Sequence, residues 1–304
     1  MIKTTSMRIW IIVQVLICFL ITFATTESYA QFRNNKRPAF TAKKPNKKSS
    51  FLDTQWWLGL RTGINLSEAI PQTRFAVYSP INYETQSIEK SYHGFKKMGM
   101  QAGIEVTFYH KGFSFSLQPN YRRQKFMYEN QYTWANPALP DQSLELYYEQ
   151  IVSTDYIDFP LSVKYDVIRQ GKWRPFVLAG AYYGILAGAD KRLSISGKDQ
   201  ASGGVNTFEG ETLQVGAHEL FIKSSAGLLG GVGVNYDLWK IRVVFDIAYR
   251  HGLHNISDVN TRYANNSLSA LGDTMDDITV NNLSFNLGFL FPLRFISKDF
   301  SAID

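Results

Sequence analysis

Beyond its first thirty residues the 304-residue chain has no cysteine. Cys18 lies inside an apolar stretch near the start, so disulfides, cysteine–metal sites and cysteine nucleophiles are excluded from the rest. No later run of about 18 apolar residues exists, which excludes helical membrane spans. Glycines are frequent at 180, 184 and 188 and at 227, 230, 231 and 233, but no G-x-G-x-x-G opens a helix-forming stretch there. No Lys-Ser/Thr closes a glycine-rich turn, so a phosphate-binding loop is not supported. Residues 31–50 have no acidic side chain.

The absence of long apolar runs does not exclude a membrane. Mean hydropathy is −0.18 and the hydrophobic fraction is 45%, values a soluble protein would also show. A transmembrane β-barrel escapes such averages because lipid-facing and lumen-facing residues alternate.

Residues 1–30 read as a secretory signal. Lys3 and Arg8 form a basic start, Trp10 to Ala24 an apolar run, and Ser28-Tyr29-Ala30 a small-residue cleavage site. The alternative is a retained N-terminal anchor. Of the net charge of +6, these thirty residues carry +1 and residues 31–50 carry +7, which leaves 51–304 at −2. The basic character therefore belongs to a short arm: Arg33, Lys36, Arg37, Lys43, Lys44, Lys47 and Lys48, interspersed with Pro and Asn. Such a segment reads as disordered, either a periplasmic tether or a solvated linker. The expected organisation is a signal over 1–30, a basic periplasmic arm over 31–52, a barrel over 53–296 and a tail over 297–304.

Eight stretches of strand-like pattern follow the arm, at about 55–66, 98–110, 113–127, 154–168, 174–188, 222–237, 240–251 and 281–294. Period-two alternation is clear in several. Ile157, Phe159, Leu161, Val163, Tyr165 and Val167 share one face, and Asp158, Ser162, Lys164 and Asp166 the other. Ile241, Val243, Phe245, Ile247 and Tyr249 oppose Arg242, Asp246 and Arg250 in the same way. Tight connections (110–112, 168–173, 237–239) alternate with long ones (67–97, 128–153, 189–221, 252–280). This is the layout of an all-β, eight-stranded antiparallel transmembrane barrel of the small OmpA/OmpX-type size, with short periplasmic turns, long extracellular loops and both barrel ends in the periplasm.

The pattern assigns candidate residues. Arg61, Glu105, Arg122, Asp158, Lys164, Asp166, Arg242, Asp246 and Arg250 are expected to point inward as a polar network, with a narrow ion path as the alternative. Trp56, Trp57, Trp173 and Trp239 fall at the short-turn ends and form an expected periplasmic girdle, joined by Tyr109, Phe113, Tyr236 and Phe291. Tyr121, Tyr156, Tyr182 and Tyr249 would form the opposite one. No catalytic residue, cofactor or metal is expected. His251 and His254, beside Ser257 and Asp258, are the weak candidates for a lipid-modifying enzyme. Asp273, Asp276 and Asp277 read as solvated carboxylates, with Ca²⁺ as the alternative. The aromatic-rich long loops (Tyr128, Tyr132, Trp134, Tyr147, Tyr148) are either a protein- or glycan-binding surface or strands that continue past the membrane.

Three phrases carry a resemblance. Leu58-Gly59-Leu60-Arg61-Thr62-Gly63-Ile64-Asn65-Leu66-Ser67 resembles the opening G-x-(K/R)-x-G-x-N of the PorT-like outer-membrane barrels of Bacteroidetes. Ile157-Asp158-Phe159-Pro160-Leu161-Ser162-Val163-Lys164-Tyr165 is similar to that family's I-x-x-P-L-x-x-K-Y strand, and Arg174-Pro175-Phe176-Val177-Leu178-Ala179-Gly180 to its K-P-Y-V-x-x-G strand. The likeness spans about 55–295. It implies an outer-membrane barrel acting as an accessory or structural component of a type IX secretion or gliding machine, the route the founding member serves. The long loops, the basic arm and an ending without a terminal aromatic depart from the pattern. Expected partners are outer-membrane lipid and other secretion, gliding or periplasmic envelope proteins, not nucleic acid.

Overall fold

The computed structural model describes residues 54–75, 90–200, 204–238, 241–262, 264, 268 and 273–293. All of them belong to the compact unit Ser49–Asp304, whereas the unit Met1–Lys48, and with it the expected signal and basic arm, lies outside the described residues, as does the expected tail.

Among the described residues there are eleven strands: β1 (Thr54–Thr73), β2 (Ser91–His93), β3 (Met98–His110), β4 (Phe113–Leu117), β5 (Asn120–Asn136), β6 (Leu139–Asp166), β7 (Trp173–Asp199), β8 (Asn206–Gly216), β9 (Ser224–Leu238), β10 (Ile241–Gly252) and β11 (Asp277–Pro292). β4 and β5 are two halves of one wall strand. The break falls at Pro119, which has no N–H to give the ladder. The Pro119 carbonyl still accepts from the Ile104 N–H, and the Gln118 N–H donates to the Pro160 carbonyl, both at 3.0 Å.

Counted this way, eight antiparallel wall strands close a ring. β1 pairs with β3, β3 with β4 and β5, these with β6, then β7, β9, β10 and β11, and β11 returns to β1. The seam is long, running from Trp57↔Pro292 to Thr73↔Asp277. All eight expected strands are present. The turn between β3 and β4 is two residues, Lys111 (φ 45°) and Gly112 (φ 94°). Two successive positive φ values give the turn that matches the twist of a tight hairpin.

Above the barrel the strands continue. Much of 128–153 is strand, the second of the two alternatives its aromatic residues left open, and much of 189–216 is strand where a long loop was expected. β5 and β6 stay paired up to Asn136↔Leu139, β6 and β7 up to Leu144↔Asp199, and β8 pairs outside β7. Aromatic and branched residues facing one another across the hairpins favour strand there in spite of the many polar neighbours.

Candidate functional site

Alternation decides which side chains enter the lumen, because successive residues of a strand point to opposite faces. Three layers of charge result. In the layer nearest the short turns, Arg242 Nε donates to Asp237 Oδ1 at 2.8 Å, Arg174 also pairs with Asp237, and Asn235 Nδ2 donates to Asp166 Oδ1 at 3.0 Å. The Arg242 guanidinium lies 4.1 Å from the Trp57 ring centroid. In the middle layer Arg61 joins Glu105 (2.9 Å) to Asp246, while Lys164 and the Thr107 hydroxyl also reach Glu105. In the layer above, Arg122 Nε (2.5 Å) and Arg250 (2.9 Å) share the Asp158 carboxylate. Tyr156 and Tyr182 flank these two guanidinium groups.

All nine expected lumen residues thus face inward, and eight of them are buried outright, Arg61 being only slightly exposed. Six cations (Arg61, Arg122, Lys164, Arg174, Arg242, Arg250) meet five carboxylates (Glu105, Asp158, Asp166, Asp237, Asp246). The interior is therefore close to neutral and filled. Between the middle and upper layers lies a cavity of about 40 Å³, lined in part by Arg61, Gln101, Asp246 and Arg250. That volume suits a water or two, not a channel.

On the long-loop side an apolar plug covers the charge layers. Phe126, Tyr128, Val152, Leu186 and Ile278 from the wall pack on Leu220, Phe221, Ile256 and Met275 from the connecting segments. Two buried lysines are built into it. Lys191 pairs with Asp273 and contacts the Tyr128 hydroxyl, which itself donates to Asp273 Oδ1 at 3.0 Å. Lys90 Nζ is 2.9 Å from Asp276 Oδ1, and Tyr92 donates to Asp276 Oδ2 at 2.8 Å. Arg262 holds Asp277 at 2.5 Å. Burial, then the neighbouring carboxylates, pushes the Tyr92 and Tyr128 hydroxyls well above the ordinary phenol range. Burial pulls Lys191 down, against the opposing pull of Asp273. Asp273 and Asp276 are thus buried lysine partners, not solvated loop carboxylates, and Asp277 pairs with Arg262. Among the described residues no group of three His, Cys, Asp or Glu side chains could hold a metal ion.

This plug is what the sequence reading missed. The signal for it was hidden: the inward set of β7 runs through Arg174, Phe176, Leu178, Tyr182 and Leu186 and then changes parity to Ala189, Lys191 and Leu193, at the register shift opposite Asp155 and Tyr156. Extending the plain alternation past Leu186 would have placed Arg192 inside and Lys191 outside.

The outer face carries the complementary pattern. Leu58, Leu60, Met100, Ile104, Phe115, Leu161, Val177, Phe245 and Phe289 are exposed there. From Trp56 to Leu66 on β1 the outward row runs about 33 Å along the strand, or about 25 Å across at a typical barrel tilt. At the short-turn rim three aromatic pairs cross between strands: Trp56–Phe108 (5.0 Å), Phe113–Tyr165 (4.9 Å) and Trp173–Tyr236 (4.4 Å).

Several girdle expectations are corrected. Trp57 is buried inside, since its neighbour Trp56 already takes the outward position. Tyr109 faces inward beside Arg174, and Tyr156 and Tyr182 face inward as well, whereas Tyr121, Tyr249 and Phe291 are exposed. Trp239 lies outside the described residues.

The histidine candidates do not converge. His251 Nδ1 is 2.9 Å from Asn281 Oδ1, and His254 Nε2 is 3.3 Å from the Ser224 carbonyl. The Ser257 hydroxyl donates to the Asp276 backbone carbonyl, and Asp258 accepts from the Asn260 N–H. No serine–histidine–carboxylate arrangement forms from these four.

Residues 29–258 match the family described as "Outer membrane protein beta-barrel domain". No curated protein matches the chain. Among solved structures, the Neisserial surface protein NspA is 15% identical, with 76% of this chain and 95% of that one covered and a TM-score of 0.30. The attachment invasion locus protein Ail of Yersinia pestis is 10% identical, covering 78% and 99%, at 0.28. The outer membrane protease OmpT of Escherichia coli is 10% identical, covering 78% and 96%, at 0.34.

Proposed function

The chain belongs to the outer membrane protein beta-barrel domain family and resides in the outer membrane, and from that premise we propose that it is a non-conducting barrel presenting a rigid extracellular β-platform to a protein or glycan ligand. The observation that carries this is the continuation of β5, β6 and β7, with β8 alongside, as one paired sheet beyond the lipid-facing band. Trp134, Tyr147 and Phe208 are exposed on this sheet. Large aromatic faces on a pre-ordered scaffold bind at low entropic cost. The filled lumen supports a surface role over transport. The test is purified protein on arrays of glycans and of cell-surface proteins, with Trp134→Ala and Tyr147→Ala alongside. Binding at least tenfold weaker in the variants supports the reading, and ligand binding indifferent to both substitutions removes it.

A second reading is favoured by the three phrases similar to PorT-like barrels: an accessory or structural component of a type IX secretion or gliding machine, with the basic arm, residues 31–52, as a periplasmic contact. Arg61 and Asn65 of the first phrase and Asp158 and Lys164 of the second are buried or nearly buried lumen residues, so the phrases preserve a way of filling the barrel. Gene deletion followed by proteomics of periplasm and medium separates the two readings. Cargo retained in the periplasm supports the machine, and unchanged secretion leaves the platform.

A further inference from the structure

The outer surface changes character abruptly where the apolar band ends on the extracellular side. Tyr121 on β5 pairs with Ile157 on β6, and Ile157 with Ile185 on β7, forming the last exposed apolar row on that part of the wall. Two residues further along β5, about 7 Å away, the outward position is Arg123, and two beyond that Lys125. Here the wall is concave. A groove of about 250 Å³ opens on the outer face, lined by Lys97, Arg123, Lys125, Asp190, Arg192 and Gln214 among others.

The charge in this groove is unevenly spent. Arg123 is flanked by Asp155 at 3.6 Å and Asp190 at 3.3 Å, and Lys97 lies 3.4 Å from Glu149. Lys125 and Arg192 have no carboxylate partner among the described residues, and the Arg192 guanidinium reaches only the Gln214 side-chain carbonyl at 3.3 Å. Two uncommitted cations therefore face one concavity, one strand apart on either side of the Ile151–Ser153 segment of β6, which pairs Lys125↔Ser153 and Ile151↔Arg192.

Height above the membrane selects the ligand. A headgroup layer extends several ångströms beyond the hydrocarbon edge, and the groove begins within that layer. An anion whose acyl chains lie on the adjacent apolar wall would present its headgroup there with no further reach. Cations just outside the hydrocarbon attract anionic headgroups, and guanidinium and ammonium groups are the side chains that bind phosphate. We propose that this groove is a binding site for a phosphorylated glycolipid of the outer leaflet, with Lys125 and Arg192 on its phosphate and Arg123 as the balanced centre of the groove. The Tyr121, Ile157 and Ile185 row would hold the first segment of its acyl chains. The proposal depends on residence in the outer membrane and on neither functional reading above.

The experiment uses the full-length barrel in detergent micelles, titrated with bis-phosphorylated Kdo2-lipid A and followed by native mass spectrometry. The expected result is saturable binding, reduced about tenfold or more in Lys125→Gln/Arg192→Gln and reduced likewise when the lipid is dephosphorylated. Asp190→Asn, which removes an acid from the groove, is expected to bind more tightly, so the proposal stays testable if the double variant assembles poorly. Equal binding by wild type and double variant overturns the site, as does equal binding of the dephosphorylated lipid. Competition by inorganic phosphate at concentrations equal to the lipid also overturns it, because the groove would then be a soluble-anion site.

Discussion

Asp158 on β6 and Arg250 on β10 form an ion pair of 2.9 Å across the lumen, and the same carboxylate accepts from Arg122 Nε at 2.5 Å. One buried acid on β6 thus compensates two buried guanidinium groups, one on β5 and one on β10. The arrangement ties opposite walls of the ring together without an apolar centre. It also makes Asp158 the point where the lumen is most sensitive to loss of charge.

Asp158→Asn is expected to destabilise the barrel by about 3–5 kcal/mol, because two desolvated cations lose their partner while keeping their cost of burial. The readout is the temperature at which the folded band converts to the unfolded one in semi-native electrophoresis. Adding Arg250→Gln to Asp158→Asn should recover part of the loss. A double variant no more stable than Asp158→Asn would show that the two residues are not coupled.

In the plug, Asp273→Asn leaves Lys191 buried without its carboxylate. The expected outcome is faster hydrogen exchange in 217–221 and 273–276 with the wall strands unchanged, a loss of about 3 kcal/mol or more confined to that cap. Lys191→Met with Asp273→Leu replaces the pair by apolar groups of similar volume and should restore protection. A cap that exchanges no faster in Asp273→Asn would mean the pair is not holding it.

The same cap should loosen in alkali. Tyr92 and Tyr128 have folded pKa values raised above the ordinary 10. Their contribution is complete below pH 10 and is lost as pH rises above it, because the opened state releases protons that the closed state keeps. Lys191, lowered from 10.5, acts in the opposite sense and below 10.5. Cap stability followed by limited proteolysis should therefore decline above pH 10, and Tyr92→Phe should blunt the decline. A cap equally resistant at pH 9 and pH 11 contradicts this.

How much of this was legible in the sequence follows from periodicity. The β6 row Ile157 to Val167 and the β10 row Ile241 to Tyr249 alternate so cleanly that the inward set could be read directly, and every residue assigned to it faces inward. Two kinds of error trace to local physics. Trp56 and Trp57 were placed on the same rim by their type, although adjacent strand residues cannot share a face. The extracellular segment 189–216 was read as a loop, and 128–153 was left open between a binding loop and continuing strands, because strand pairing above a membrane has no lipid to enforce an apolar outer row. Lys191 and Asp273 are 82 residues apart, and only the closed ring with its inserted connections brings them together.

Trp56 and Trp173 are more than half exposed on the outer face, whereas Trp57 lies inside under Arg242. Brominated lipids in reconstituted vesicles should quench Trp56 and Trp173 strongly and leave Trp57 nearly unquenched, each compared through Trp→Phe variants. Loss of most quenching on Trp57→Phe would place that ring on the lipid side after all.

Adjacent glycines on β9 offer a sharper test of the wall geometry. Gly231 faces the lumen, where a Cβ would stand 2.2 Å from the Ile247 carbonyl oxygen and 2.8 Å from Ala248 Cα. Those atoms belong to the paired backbone of β10 and cannot rotate away, so the strands must separate to admit a methyl group. At Gly230 the nearest atom to such a Cβ is the Leu178 carbonyl oxygen at 3.9 Å. One methyl therefore has opposite consequences one residue apart. Gly231→Ala should cost about 1–3 kcal/mol and slow assembly, as overpacking does, while Gly230→Ala should be neutral or slightly stabilising through the unfolded chain. Refolding yield into detergent, measured for both variants in parallel, decides it. Equal yields would mean that the β9–β10 pair is not packed as tightly as its register requires.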